Sequence, residues 1–248
     1  MALLTGVLRG LMDLVFPPEC RVCGDEMAPG GDPISLCDTC EAGLRTIPKE
    51  RCPKCGKVNL KRAAAGAART QCRECQSGTR RFDVAVSAFL YGGTFRKLWH
   101  RVKFSNRPDW IPSIVESALE KIGPEEEFNP YLFDLYTWVP TSERRRQERG
   151  FDPAEEISRH LSEKYKRPHM ALLRRIRDTR PQFELSRKDR IKNVEGAFAA
   201  AIPRDQRVRA VLLVDDILTT GATASACAAA LKDRGAQKVV LFALARGG

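Results

Sequence analysis

The chain is predicted to fold as an α/β protein: a parallel sheet flanked by helices, preceded by a small cysteine-rich domain. Three observations carry the prediction. From Phe82 onward, apolar stretches of strand length alternate with stretches of helical periodicity, the signature of βα units. One of them, RAVLLVDD (Arg209–Asp216), is apolar almost throughout before its two acids, as a strand buried on both faces must be. Before Phe82, eight of the nine cysteines stand in four CxxC pairs.

In chain order, residues 1–18 read as an amphipathic helix. Leu4, Val7, Leu8, Leu11 and Leu14 recur at helical spacing, and Pro17 and Pro18 end it. Arg9 and Asp13 break its apolar run and no small-residue cleavage site follows, so it does not read as a signal peptide. Docking on the protein's own core is the first expectation for such a face, and attachment to a membrane surface the second. No stretch approaches the roughly 20 apolar residues of a membrane span. A cytoplasmic protein without stable membrane insertion is expected, with membrane association through that helix as the alternative.

Residues 19–78 form the cysteine region. Its pairs are Cys20/Cys23, Cys37/Cys40, Cys52/Cys55 and Cys72/Cys75. Each CxxC turn aims two thiolates at one ion, and a second turn closes the tetrahedron that zinc prefers. Gly24 and Gly56 follow the second cysteine of their pairs, where a knuckle turn needs positive φ. Disulfides need an oxidising compartment, so two zinc ions are expected instead. Eight thiolate positions leave no open coordination place, which makes both sites structural. Sequential pairing is the simplest arrangement; an interleaved cross-brace is the alternative. The insert Lys57–Thr70 reads as an exposed basic loop, either a solvated linker or a contact for phosphates.

From residue 79 to 248 the character changes. Phe82–Tyr91 is a strand, and Phe95–Phe104 a helix that buries Phe95, Leu98, Trp99 and Val102. A second helix ends near Gly123, and FDLYTWVP is a short strand stopped by Pro140. The next helix has Asp152 as its cap, Pro153 at its first position and Glu155 and Glu156 in its first turn. ALLRRI and VEGAFAA are hairpin arms around a polar segment. The strand RAVLLVDD, the helix SACAAALKDRG and the strand KVVLFALAR complete the domain. Cys227 on that helix reads as a small buried apolar residue. His100, His160 and His169 lack metal-ligand spacing.

Ligands of open α/β sheets bind beyond the carboxyl ends of strands, where Asp215 and Asp216 are expected. The ILTTGAT turn that follows enters a helix whose first amides and dipole suit an anion. Gly221 lets the backbone approach a phosphate closely, and Thr219, Thr220 and Thr223 add hydroxyls. Two carboxylates beside a phosphate cradle suit a sugar phosphate with vicinal hydroxyls, or a divalent cation. No GxxxxGK[ST] loop is present, which excludes a nucleotide-driven motor of that type. A receiver domain shares the acidic pair but not the threonine–glycine cradle.

VLLVDDILTTGAT resembles the PRPP-binding signature of type I phosphoribosyltransferases. The resemblance implies that Asp215 and Asp216 contact the ribose hydroxyls and that Thr219, Thr220, Gly221, Ala222 and Thr223 hold the 5-phosphate. It also implies magnesium bound with PRPP, and a pyrophosphate loop in WVPTSERRRQERGF. There Val139 and Pro140 close the strand, and Arg144 and Arg149 could neutralise pyrophosphate. The series of segments Leu90–Phe104, Val139–Phe151, Gln182–Phe198 and Val211–Thr223, behind doubled CxxC pairs, is similar to the ComF family of competence proteins. That family is linked to natural transformation, in which single-stranded DNA enters the cell. The resemblance implies PRPP, single-stranded DNA and other DNA-uptake or recombination proteins as partners.

The charge is compatible with that. The chain carries a net +11, and between Thr141 and Lys192 sixteen Lys/Arg face nine Asp/Glu. Single-strand binding combines a basic groove with aromatic platforms. Phe151, Phe183 and Phe198 are the expected platforms, with Arg144, Arg146, Arg174, Arg177, Arg180, Arg187 and Arg190 around them. PQFELSRKDRIKNVEG is expected to form a flap over the pocket, with Phe183 and Leu185 packing and Gln182, Arg187, Arg190 and Asn193 as its functional residues. Two other readings stand beside this one: a nucleobase salvage transferase, and a non-catalytic single-strand-binding module. No side chain stands out as a general base for an acceptor.

Overall fold

The structure, a computed structural model, describes residues 17–27, 34–58, 70–123, 128–177, 193–202 and 208–247. The expected N-terminal helix, most of the Lys57–Thr70 insert, and Arg180, Gln182, Phe183, Leu185, Arg187 and Arg190 of the expected flap lie outside the described residues.

Four strands form one parallel sheet: β1 (Val84–Leu90), β2 (Leu135–Trp138), β5 (Ala210–Leu218) and β6 (Lys238–Arg246). Their order is β1-β6-β5-β2, so the longest two strands occupy the centre. Central parallel strands are covered on both faces, which is why β5 and β6 are apolar at successive rather than alternate positions. Leu212, Val214, Val240 and Phe242 point to one face and Val211, Leu213, Val239 and Leu241 to the other.

Helices α3 (Gly93–Phe104), α4 (Ile111–Ile122) and α6 (Pro153–Tyr165) cover the first face. The four apolar residues expected on the inner side of α3 are all buried there. The α6 start is as expected too: the Asp152 side chain accepts from the Ala154 amide at 3.0 Å, with Pro153 following. Helix α7 (Ala222–Lys232) covers the second face, together with an antiparallel hairpin of β3 (Leu173–Arg175) and β4 (Phe198–Ala200). Cys227 is fully buried on α7, as a small apolar residue.

The cysteine region carries two short helices, α1 (Asp38–Ala42) and α2 (Arg73–Gln76), and packs against the sheet. Residues 45–47 run beside β1: the Leu90 amide donates to the Arg45 carbonyl and the Ile47 amide to the Ala88 carbonyl, both at 2.8 Å. Further on, the Ala85 amide donates to the Lys54 carbonyl at 2.8 Å. Among the described residues, no helix is long and apolar enough to cross a membrane.

Candidate functional site

The eight paired cysteines assemble sequentially. Cys20, Cys23, Cys37 and Cys40 bring their sulfurs within 4.8 Å of one another, and so do Cys52, Cys55, Cys72 and Cys75. Tetrahedral zinc with Zn–S bonds of about 2.3 Å holds its sulfurs about 3.8 Å apart. The Cys23–Cys37 and Cys55–Cys72 sulfur pairs lie 3.6 Å apart, so both clusters fit the ion. Backbone donors complete each knuckle. The Val22 amide donates to Cys20 Sγ at 3.4 Å and the Cys72 amide to Cys52 Sγ at 3.3 Å, bonds that favour a thiolate. Gly24 and Gly56 both have positive φ, as the knuckles require. Four thiolates per cluster fit closed, structural zinc sites.

The acidic pair stands where the sheet loses a strand. β2 pairs with β5 from Leu135↔Val211 to Trp138↔Val214 and stops. β5 itself runs on to Leu218, still paired with β6. Asp215 and Asp216 are therefore inside β5 rather than at its end, in the stretch that β2 leaves unpaired. Successive strand residues point to opposite faces. Asp216 continues the Leu212–Val214 face and meets α3. Trp99 Nε1 donates to its Oδ2 at 3.0 Å, and the Lys103 ammonium forms an ion pair with the same oxygen. Asp215 belongs to the α7 face, near the buried Cys227 on that helix.

These surroundings split the two carboxyls. Burial, and then the charge of Asp216, push Asp215 well above the usual carboxylate range. For Asp216 burial acts in the same sense, but Lys103 and the Trp99 N–H outweigh it and hold the carboxyl below that range. Near the pair, Asp152 is buried, and its Oδ2 accepts from the Thr141 amide at 2.8 Å. One side chain thus caps α6 and fixes the turn after Val139 and Pro140.

The expected pyrophosphate loop is largely helical. Glu143–Arg149 form α5, which Gly150 ends in the left-handed conformation at φ 76°. Five residues turn a helix by about 140°, so Arg144 and Arg149 leave it on different sides. Arg144 is 88% exposed and bonded to Glu148 at 2.8 Å, away from the acids. Arg149 is half-buried, its guanidinium 5.6 Å from the Phe104 ring centre and within reach of the Asp216 charge. Only the second arginine joins the acidic pair.

The turn after β5 is held from below. Gly221 caps α7 at φ 76°, and the Ala222 amide donates to Thr220 Oγ1 at 3.3 Å. Thr219 is exposed, Thr220 and Thr223 are partly so, and Ala222 is buried. Arg246, only 2% exposed, donates from Nε to the Cys55 carbonyl at 3.1 Å and from Nη1 to the Leu218 carbonyl at 2.8 Å. Its Nη1 also reaches the Thr219 and Gly247 carbonyls. One guanidinium therefore ties the second cysteine cluster to the turn. Lys103, Trp99 and Arg246 were not expected at the site. The one available signal was Arg246, a cation closing an otherwise apolar strand.

The expected DNA platforms move. Phe151 and Phe198 are buried in the two core clusters, because the apolar faces that made them conspicuous are packing faces. Phe104 is the exposed aromatic near the acids, with His100 stacked at 4.3 Å and Arg149 over it. Arg146 pairs with Glu155 at 3.2 Å, Arg174 is exposed, and Arg177 donates to the Asn193 and Glu195 carbonyls. His160 bonds Glu116 at 2.7 Å and His169 stacks on Trp138 at 4.6 Å.

Comparison with known proteins agrees with the geometry of the cysteines. The double zinc ribbon domain family matches residues 11–79. The DNA utilization protein YhgH of Escherichia coli K12 is 28% identical over 235 residues, 94% of this chain and 99% of that protein. Competence protein F of Haemophilus influenzae is 28% identical over 215 residues, covering 85% and 90%. Competence protein ComFC of Streptococcus pneumoniae is 27% identical over 244 residues, covering 92% and 100%.

Proposed function

We propose that this chain, a homologue of the ComF competence proteins and the YhgH DNA utilization proteins with a double zinc ribbon, binds PRPP and works on or with single-stranded DNA during DNA uptake. The observation that carries the reading is the placement of Asp215 and Asp216. They lie in the stretch of β5 that β2 leaves unpaired, one on each face of the sheet, and within five residues β5 gives way to a glycine-capped helix start. Ribose hydroxyls would displace Lys103 from Asp216, and the 5-phosphate would sit against Thr219–Thr223, where amides and dipole favour an anion. Magnesium would enter with the ligand and neutralise its pyrophosphate. Arg149 is the cation of α5 that can assist, and Asp152 holds the Val139–Thr141 turn in place. The names of the relatives support the DNA-uptake role.

The test is a calorimetric titration of magnesium-PRPP into the wild type and the Asp215→Asn/Asp216→Asn double variant. Binding by the wild type and loss in the variant is the expected result. Absence of binding by zinc-loaded, folded wild type overturns the reading. One observation favours DNA contact beside this pocket: Phe104 is exposed with a guanidinium above it, an arrangement on which a base can stack. Phe104→Ala is expected to weaken single-strand binding roughly 5- to 100-fold, on a stacking scale of 1–3 kcal/mol, and to leave PRPP binding intact.

A further inference from the structure

We propose that Arg80, supplied by the segment that leaves the second zinc ribbon, is a phosphate ligand at the start of α7. The proposal rests on the reading of Thr219–Thr223 as a phosphate-holding turn, and adds to it a cation from outside that turn. Arg80 is only 5% exposed. Its Nε and Nη1 are buried and have no hydrogen-bond partner. A guanidinium carries five donors, and leaving them unpaired away from water is costly. Arg246 shows how a satisfied buried arginine looks in the same neighbourhood, with donors on both nitrogens engaged by carbonyls.

The orphaned donors are aimed at the helix start. A Cβ placed on Gly221, the cap residue of α7, would lie 2.2 Å from Arg80 Nη1. Gly221 is thus required twice, by its positive φ and by the guanidinium against it. Gly221 has no side chain to accept from the helix start, where the Ala222 amide donates to Thr220 Oγ1, and the first amides of a helix have no acceptors within it. The backbone that carries Arg80 is held in place, and its guanidinium lies 5.8 Å over the Phe82 ring. The Ser225 hydroxyl accepts from the Arg81 amide at 2.8 Å and donates to the Thr79 carbonyl at 3.2 Å, while Lys54 Nζ donates to the Arg80 carbonyl at 3.1 Å. A cavity of about 400 Å³ opens beside it, lined by Thr79–Arg81, Thr220–Ala222 and residues 194–196, with the carboxylates of Glu74, Glu195 and Asp233 also on its wall. A fixed cation with free donors, next to a helix start and a cavity, fits a phosphate monoester. The second ribbon would then be part of the ligand site.

The full zinc-loaded chain is titrated by calorimetry with inorganic phosphate, ribose 5-phosphate and magnesium-PRPP. Arg80→Gln, Arg80→Lys and, as a control on the exposed side of α2, Arg73→Gln are compared with wild type, and zinc content and Tm are followed for each. Loss of a charge-assisted bond predicts a roughly 10- to 100-fold weaker affinity for ribose 5-phosphate in Arg80→Gln. Arg80→Lys should recover part of it, since it keeps the charge without the fork, and Arg73→Gln, outside the cavity, should bind as wild type does. A structural role alone would lower Tm or zinc content and leave the affinity of the folded fraction unchanged; that result overturns the proposal. If Arg80→Gln does not fold, Arg80→Lys decides: wild-type affinity overturns, weakened affinity supports. Wild type that binds neither phosphate nor ribose 5-phosphate also overturns it. Arg80-dependent binding of ribose 5-phosphate without binding of PRPP supports the Arg80 site and sinks the PRPP reading instead.

Discussion

The first cysteine cluster packs on the α3–α4 face of the sheet and leaves Cys23 at the surface, whereas the second packs on the α7 face with Cys55 fully buried. The first joins the helices through Cys20, Val22, Ile34 and Leu36 in their core and, nearer the surface, through Arg21, which lies 5.0 Å over the Trp110 ring and donates to Ser113 at 3.3 Å. The second is linked to the turn after β5 by the buried Arg246. The same four-thiol pattern thus serves core packing in one place and supports a candidate ligand site in the other. A zinc motif specifies local geometry; what it packs against decides its consequence.

The largest expected effect separates the clusters directly. Zinc supplies much of the folding energy of small ribbons. If Cys55→Ser loses about 5 kcal/mol, Tm should fall by roughly 10–20 °C for a chain of this size, and phosphate binding should go with it. Cys23→Ser is expected to lose one zinc and keep the binding. Metal content, thermal melts and ligand titration read all three. Equal losses of binding in the two variants would break the comparison.

Arg246→Met comes next. It leaves the Cys55 and Leu218 carbonyls without their buried donor. Removing one member of a buried charged network costs about 3–5 kcal/mol. Urea unfolding should show that loss with both zinc ions retained. Zinc release at wild-type stability would instead mean that the ribbon depends on Arg246 and the turn does not.

How much of this could be read in the chain follows from the range of the interactions. The inner face of α3, the Asp152 cap and the buried central strands are set by neighbours within a turn or a strand, and their patterns are visible. The chemistry of VDDILTTGAT is equally local. Its partners are not. Trp99 is 117 positions from Asp216, and Lys103 reads as one more cation on the polar side of an amphipathic helix. Arg144 and Arg149 are indistinguishable as residue types, and only the phase of α5 sends one toward the acids. Phe151 and Phe198 illustrate the opposite error, since an aromatic residue beside arginines is packed inward when its segment has an apolar face to bury.

The acids test whether the turn's two supports are independent, with opposite signs. Folded protein holds a proton on Asp215 that the unfolded chain, with a carboxyl near pKa 4, has released. Above about pH 4 and up to the raised value the unfolded state binds fewer protons, so stability falls as pH rises. Asp215→Asn removes that loss and is expected to gain about 1–2 kcal/mol near neutrality, less toward pH 5.5. Asp216 is held ionised below its ordinary range, so its contribution is full above about pH 4 and fades only in stronger acid. Asp216→Asn should therefore cost about 2 kcal/mol, equally at pH 5.5 and 8, a range chosen to keep zinc bound. Urea midpoints at the two pH values check both signs. Additivity with Arg246→Met would show that acids and ribbon act on the turn separately.

The smallest effect belongs to the first cluster. Arg21→Ala removes a cation–π contact and one hydrogen bond at the edge of α4. Cation–π contacts that keep some exposure to water, as the half-buried Arg21 does, are worth about 0.5–1 kcal/mol, a change in urea midpoint near the limit of measurement. Zinc content and ribose 5-phosphate affinity should match wild type, because nothing in this contact reaches β5 or α7. The value of the variant lies in its contrast with Arg246→Met, since both remove one arginine that joins a ribbon to the sheet. A loss from Arg21→Ala as large as that from Arg246→Met, or any change in phosphate affinity, would mean that the first ribbon also transmits to the turn. The division between a core-packing and a site-building zinc cluster would then fall.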